Sequence, residues 1–218
     1  MKAYILKLSF EDITPVIWRR IILPAGATFN RLHETIQNVT NFQSTISPYH
    51  SFGMEIDPYF ITNNEWIIEE YKGKSYAGKT VKRPERIKID AYLEKHNYFT
   101  YNYDFGDDWR IQVVLEEVVD DYYFGYPTLL DGEGTAPPED VGGPPGYEEF
   151  LKVFRDPTHP EYLSIKAWAE GQYYLPLDIA KVNERLKYVK YKKTEWQNIH
   201  HENYYVLSDK YRSAEKVE

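Results

Sequence analysis

The sequence of 218 residues contains no cysteine. This absence excludes a disulfide framework, a zinc site built on thiolates and catalysis by a cysteine nucleophile. No apolar run reaches the roughly 18 residues that a membrane-spanning helix needs, and the N-terminal residues lack the apolar stretch of a secretory signal. We therefore expect a soluble cytoplasmic protein that does not associate with membranes.

Basic residues are nearly missing from one part of the chain. Residues 101–150 hold 13 acidic side chains and a single basic one, Arg110. Residues 1–100 hold 13 basic and 11 acidic side chains, and residues 151–218 hold 12 and 10. The formal charge of -8 therefore belongs to the central window, and acidity argues against nucleic-acid binding in that window alone.

Several catalytic motifs are also missing. The sequence has no G-x-x-x-x-G-K-[ST], G-x-G-x-x-G, G-x-S-x-G or H-E-x-x-H string, so the commonest nucleotide-binding, esterase and metalloprotease classes are excluded. The glycine-rich segment GEGTAPPEDVGG (132–143) has no lysine following it, so it is not a phosphate-binding loop. We expect no cofactor.

The N-terminal third predicts two strands and a helix. Residues 2–10 alternate between apolar and polar, which is typical of a half-buried strand, and residues 16–23 form a second strand candidate. Thr28 is a suitable N-cap for a helix whose apolar residues recur at three- and four-residue spacing. This helix is expected to pack on the sheet.

The middle of the chain predicts short elements and one clear hairpin. Residues 50–56 and 65–71 are strand candidates, and a short helix is expected near residues 90–96. Residues 98–105 and 109–119 both alternate and are separated by a Gly/Asp cluster, which favours a β-hairpin.

Residues 125–146 contain six glycines and five prolines, too many for the interior of any helix or strand. We therefore expect a long loop here, of the kind that is often functional. Helices are expected within residues 146–156, 159–171 and 177–189. The predicted fold class is α+β: a mainly antiparallel sheet with an early helix packed on it, a long Gly/Pro loop and a helical C-terminal third.

Three stretches carry specific strings: PVIWRRIILPAGATFNRLHETIQ (15–37), YDFGDDWRIQVVLE (103–116) and YPTLLDGEGTAPPEDVGGPPGYEEFL (126–151). Their order and spacing resemble the plasmid pRiA4b ORF-3-like family. The resemblance implies a family domain over residues 1–188 and genes associated with mobile elements, but no particular activity. Residues 189–218 are predicted to be a C-terminal extension that is partly docked and frayed at its end.

The sequence departs from this family at positions where many relatives have cysteine or histidine. The resemblance aligns the cysteines with Leu129, Ala136 and Val141, and two of the histidines with Pro48 and Ile111, while His50 is retained. Aliphatic residues in place of soft ligands predict an apolar contact, so we expect no metal site inherited from the family.

Carboxylates around the predicted hairpin turn are the strongest candidates for chemistry. The set comprises Asp104, Asp107, Asp108, Asp131, Glu133, Glu139 and Asp140. Paired carboxylates could bind Mg²⁺ or Ca²⁺, or act as acid and base with help from His50. The alternative, which we favour, is that the Asp and Gly residues meet the hydrogen-bonding and conformational needs of the turn backbone. Glu139 and Asp140 would then accept hydrogen bonds from nearby N–H groups or pair with basic side chains.

Other polar residues are weaker candidates. As binding residues we name His33, Trp109, Asp131, Glu133, Arg19 and Arg20. His33 and His50 could converge, and one arginine of the pair could contact a phosphate or carboxylate. We favour instead a structural role for His33, with one arginine solvated and the other paired with the acidic hairpin.

Lys187, Lys190, Lys192 and Lys193 lie among tyrosines, a pattern that suits single-stranded nucleic acid. Solvated helix faces often have the same pattern, and a protein partner is the preferred prediction. We interpret the chain as a non-enzymatic binding or interaction module, accessory to mobile genetic elements. The alternative is a metal-assisted or acid/base hydrolase that uses the acidic hairpin and loop.

Overall fold

The computed structural model describes residues 1–43, 50–192 and 210–211. The strands are β1 (Ala3–Phe10), β2 (Trp18–Pro24), β3 (Phe52–Ile56), β4 (Tyr59–Thr62), β5 (Ser75–Tyr76), β6 (Lys79–Lys82), β7 (Tyr98–Tyr103), β8 (Trp109–Val119) and β9 (Thr128–Glu133). The α-helices are α1 (Phe29–Val39), α2 (Glu65–Glu70), α3 (Asp90–His96), α4 (Gly143–Phe154), α5 (Tyr162–Gly171) and α6 (Ile179–Leu186). Short 3₁₀ turns cover Pro84–Arg86 and Lys187–Val189.

The described strands form one sheet of nine in the order β5-β6-β4-β3-β7-β8-β1-β2-β9. All neighbouring pairs in the described part of the chain are antiparallel except β4 and β6. Strand β1 is an interior strand, since it pairs with β2 on one side and with β8 on the other. The predicted α+β fold with a mainly antiparallel sheet is confirmed.

Helix α1 covers one face of the sheet, as its apolar spacing predicts. Thr28 caps its first turn by accepting a hydrogen bond from the backbone N–H of Arg31 at 3.3 Å. Leu32 and Ile36 are fully buried, and each contributes roughly 1.5–3 kcal/mol to folding by leaving water. Phe29 contacts Phe99 of β7 edge-on, with 5.9 Å between ring centroids. The alternation of β7 therefore turns Phe99, Tyr101 and Tyr103 toward α1.

The strand expected over residues 65–71 is wrong, because this segment is helix α2. Asn64 acts as its N-cap, with Oδ1 accepting from the N–H of Ile67 at 3.0 Å. Ile67 is buried while Trp66 is 68% exposed, so the segment buries one helical stripe rather than an alternating face.

The Gly/Pro segment 125–146 is also more ordered than expected, because it contains β9. One of its glycines, Gly132, lies where a side chain would collide, since a Cβ there would meet the Trp18 carbonyl oxygen at 2.9 Å. Gly132 therefore permits close approach of β9 to β2 and does not end the strand. The helical C-terminal third is confirmed by α4, α5 and α6. No helix in the described ranges is long and apolar enough to cross a membrane.

Candidate functional site

The turn between β7 and β8 holds Asp104 in a fixed position. Asp104 and Asp108 have φ values of 53° and 54°, a left-handed conformation that Asp tolerates because its side chain bonds the local backbone. Oδ1 of Asp104 accepts from the N–H of Gly106 at 3.0 Å, and the Asp104 N–H donates to the Ser51 carbonyl at 3.0 Å. The second carboxylate oxygen of Asp104 is left to face His50.

His50 lies between two carboxylates. Its Nδ1 is 3.4 Å from Oδ2 of Asp104, and its Nε2 is 3.2 Å from Oδ1 of Asp140. The ring meets Tyr103 edge-on, with 6.0 Å between centroids, so an aromatic wall fixes the plane of the imidazole.

The loop after β9 supplies the second carboxylate and a buried neighbour. Asp140 also has a positive φ, of 55°, while Glu139 beside it is 4% exposed. Glu139 Oε1 accepts from the Tyr103 hydroxyl at 2.7 Å and from the N–H of Gln43 at 2.6 Å. Burial raises the pKa of Glu139, and these two hydrogen bonds oppose that rise without cancelling it.

The same loop is fastened to the hairpin turn. Oδ2 of Asp107 accepts from the N–H of Gly142 at 3.2 Å. A Cβ on Gly143 would lie 2.4 Å from the Asp107 carbonyl oxygen, so the two backbones touch at this glycine. This contact holds the loop against the turn and so brings Asp140 to His50.

His50, Asp104 and Asp140 form what we call the His–Asp–Asp cluster. One potential ligand atom from each residue lies within 4.8 Å of the other two. Asp104 is buried, His50 is partly buried and Asp140 is exposed, so the cluster is open on one side. One imidazole nitrogen and two carboxylate oxygens are a ligand set that divalent metal ions accept.

The other predicted carboxylates have separate roles. Asp108 accepts from Arg110 at 2.7 Å and from Asn102 at 2.5 Å, and Arg110 is the main cause of its lowered pKa. Asp131 accepts from the N–H of the next residue at 2.8 Å, and Glu133 from the Trp18 indole at 3.1 Å. These contacts, with the Asp107 bond above, agree with the interpretation that most of the set satisfies turn backbone or nearby donors.

His33 lies in an aromatic slot and is not a member of the cluster. It stacks on Phe52 with 4.1 Å between centroids, and its Nδ1 is 2.8 Å from the Tyr101 hydroxyl. Burial lowers its pKa to about 3. Trp109 is likewise in the core, 1% exposed, with its ring edge-on to Tyr147 at 6.3 Å.

Arg19 and Arg20 are both buried, so the expectation that one of them is solvated is wrong. Arg19 donates to the carbonyl groups of Val39, Trp18, Glu133 and Gly134 at 2.7–2.9 Å, and it thereby caps the end of α1. Arg20 donates to Glu116 of β8 at 2.6 Å, which agrees with the expected pairing to the acidic hairpin.

The lysines that predict nucleic-acid contact are partly engaged within the chain. Lys187 Nζ lies 2.6 Å from Glu184, and the Lys192 N–H donates to the Gly125 carbonyl at 3.2 Å. Lys193 lies outside the described residues, as does Pro48. Nucleic-acid binding stays a prediction.

Four of the positions where relatives have cysteine or histidine are apolar contacts, as predicted. Leu129, Ala136 and Ile111 are at most 1% exposed, and Val141 packs against the same core. His50, the histidine that the resemblance retains, is the one that joins the His–Asp–Asp cluster.

Comparison with known proteins places these features in a family. The model of the plasmid pRiA4b ORF-3-like proteins matches residues 2–185. The chain is 29% identical over 171 residues to the uncharacterized protein y4hQ of Sinorhizobium fredii, covering 78% of this chain and 81% of that protein. It is also similar to the crystal structure of a protein of unknown function, MM3350 from Methanosarcina mazei Go1. That similarity has a TM-score of 0.62 and 33% identity, and it covers 77% of this chain and 89% of the other. A match along most of the chain in both sequence and fold shows that this protein belongs to the plasmid pRiA4b ORF-3-like family.

Proposed function

We propose that this protein is a binding module, not an enzyme, and that, in contrast to our expectation of no cofactor or metal site, it holds a divalent transition-metal ion in the His–Asp–Asp cluster. The observation that carries this function is the convergence of His50, Asp104 and Asp140, with one potential ligand atom of each within 4.8 Å of the others. These residues come from three separate chain segments, and each is positioned by contacts of its own.

The ligand types favour zinc or a similar ion over calcium or magnesium. Ca²⁺ takes about six to eight oxygen ligands and Mg²⁺ also prefers oxygen, whereas an imidazole nitrogen suits Zn²⁺ and its neighbours. The cluster offers three protein ligands and is open on one side, so a bound ion would keep a coordination position for water or for a group from a partner. A bound cation would also relieve the repulsion between Asp104 and Asp140.

Isothermal titration of metal-stripped, untagged protein with ZnCl₂ tests the proposed site. We expect one equivalent to bind, and we expect Asp140→Asn to weaken binding at least about tenfold because it removes one charged ligand. Asp140 is exposed, so this change should leave the fold intact. Asp108→Asn is the matched control, since it removes a carboxylate from the adjoining turn that lies outside the cluster.

Equal zinc affinity in the wild type and Asp140→Asn, or an equal loss in both variants, contradicts a site at this cluster. The hydrolase alternative is separated by the same two variants. Zinc-dependent turnover of p-nitrophenyl phosphate or p-nitrophenyl acetate that is lost in Asp140→Asn would favour an enzyme over a binding module.

Three finer expectations remain predictions beside this function. They are the association with mobile genetic elements, the cytoplasmic location and nucleic-acid contact through Lys187, Lys190, Lys192 and Lys193. Filter binding of a labelled oligonucleotide over a series of salt concentrations tests the last, because phosphate contacts give a negative slope of affinity against salt.

A further inference from the structure

A groove of about 790 Å³ lies on the face of the sheet that α1 does not cover. The residues that alternate with the buried side chains of β7, namely Tyr98, Thr100 and Asn102, lie along it. Gly53 of β3 is at its floor, where a Cβ would come within 2.7 Å of the Phe60 ring and 3.3 Å of the Phe105 ring. The glycine thus keeps the floor low and lets both rings lie against it.

The groove is elongated across the strands. It extends from Lys79 of β6 through β4, β3 and β7 to Arg110 of β8. Four steps between strands of about 4.8 Å each amount to roughly 19 Å. An extended peptide rises about 3.3 Å per residue, so five or six residues of such a peptide would span this length.

The charge of the lining is negative. Glu11, Glu55, Asp57 and Asp108 face the groove, against Lys79 and Arg110. Arg110 forms an ion pair with Asp108, with 2.7 Å between Nη2 of Arg110 and Oδ2 of Asp108. Glu11, Glu55 and Asp57 form no salt bridge within the described part of the chain, and only Glu11 lies near enough to Arg110 to attract it electrostatically. Phosphate would be repelled here, whereas ammonium and guanidinium groups would be attracted.

Two buried polar atoms of groove-lining residues have no hydrogen-bond partner among the described residues. They are Oδ1 of Asn102 and Nε2 of His96. Asn102 already donates its amide to Asp108, so its Oδ1 is oriented as an acceptor. A buried polar atom left unsatisfied costs free energy, so Asn102 Oδ1 would gain from a donor supplied by a bound molecule, whereas His96 Nε2 donates or accepts according to the imidazole tautomer.

Exposed aromatic rings add a surface that suits cations. Tyr98 is 62% exposed and Phe105 is 41% exposed, at two places along the groove. An ammonium or guanidinium group over such a ring gains about 0.5–1 kcal/mol at an exposed site. The carboxylates, the unsatisfied oxygen of Asn102 and the exposed rings thus all favour the same ligand chemistry.

We propose that this groove binds an extended, lysine- or arginine-rich segment of a partner protein. The basic side chains would lie against Glu11, Glu55 and Asp57, with the rings of Tyr98 and Phe105 beside them. This surface is separate from the His–Asp–Asp cluster and does not depend on a bound metal.

Fluorescence polarisation with fluorescein-labelled hexalysine at low salt tests the groove. We expect the double variant Glu55→Gln/Asp57→Asn to weaken binding at least about fivefold. Both carboxylates are exposed, so the fold should be retained. The matched control is Glu148→Gln/Glu149→Gln on α4, which changes the net charge equally and should alter binding less than about twofold. Labelled hexaglutamate should not bind.

The uncharged change Tyr98→Ala separates a shaped site from general attraction between opposite charges. We expect it to weaken hexalysine binding at least about twofold, because it removes an exposed ring and no charge. Absence of hexalysine binding, equal weakening in the two double variants, or unchanged affinity in Tyr98→Ala would each overturn a basic-peptide site.

Discussion

Burial determines the role of single residues in this protein, and the two central histidines are the clearest case. His33 is 5% exposed, lies against Phe52 and Tyr101, and has its pKa lowered to about 3. His50 is partly exposed and lies between two carboxylates. Both histidines are candidates from the sequence. Their positions along the chain do not show that one is buried among aromatic rings and the other lies in an open cluster of carboxylates. The surrounding elements decide that.

His33 should make the folded state sensitive to acid. Its pKa is lower in the folded protein than its ordinary 6.5, so its contribution to stability is complete above pH 6.5 and is lost as the pH falls toward 3. Within that pH range, the unfolding free energy falls by up to about 1.4 kcal/mol for each pH unit of acidification. His33→Gln should lack this component, so the difference in urea unfolding free energy between wild type and variant should shrink from pH 7 to pH 4. His159→Gln, in the turn before α5, is the control. A difference that stays constant with pH would contradict the assignment.

Whole elements are joined by a few polar side chains that bond to backbone. Strand β9 is the edge of the sheet, and α6 covers it through Asn183. Asn183 Oδ1 accepts from the Leu129 N–H at 2.7 Å, and its Nδ2 donates to the Leu129 carbonyl at 3.0 Å. One amide thus replaces a neighbouring strand at this position, which protects the edge from pairing with another chain.

Asn183→Ala should therefore destabilise the protein more than its loss of apolar contact explains. It leaves a buried N–H and a buried C=O without partners, at about 1–3 kcal/mol each, so we expect a loss of about 2–6 kcal/mol in unfolding free energy. Urea denaturation measures this loss, and amide exchange at Leu129 should accelerate with it. Lys181→Ala on the exposed side of α6 is the control. A loss in Asn183→Ala no larger than in Lys181→Ala would show that α6 does not hold the edge.

At the scale of the whole molecule, the sheet interleaves distant parts of the chain. Strand β1, at the N-terminus, lies between β2 and β8, and β3 pairs with β7. Strands from the first hundred residues therefore pair with strands from the rest of the chain, and neither part contains all the pairing partners of its own strands. The proposed division at residue 188 is compatible with this arrangement and stays a prediction.

A fragment of residues 1–97 should therefore be unfolded. It removes β8 from β1, β7 from β3 and β9 from β2, which exposes three strand edges and the apolar face that β7 and β8 share with α1. We expect a disordered far-ultraviolet circular dichroism spectrum and no cooperative thermal transition, in contrast to the full chain. A cooperative melt of the fragment would contradict a single interdependent sheet.

Local pattern determines much of this fold. The alternation in β1, β7 and β8, the Thr28 cap and the spacing in α1 predict those elements and their buried faces, because each signal lies within about ten neighbouring residues. The segment at residues 65–71 misleads because a short apolar run does not distinguish a strand from a helix. Gly132 of β9 misleads because its role, close approach to β2, depends on a neighbour far along the chain.

The candidate sites divide in the same way. Zero cysteine and the acidic window of residues 101–150 are properties of the sequence by itself, and they exclude thiolate chemistry and locate the negative charge. That Asp140, rather than Asp107 or Asp108, joins His50 and Asp104 was decided by tertiary structure alone. The contact of Gly142 and Gly143 with Asp107 sets that arrangement, since it fixes the distance between two loops. The groove is likewise tertiary, because it needs strands from β6 to β8 side by side. The sequence determines which side chains are available, but the folded chain determines which of them lie within bonding distance of one another.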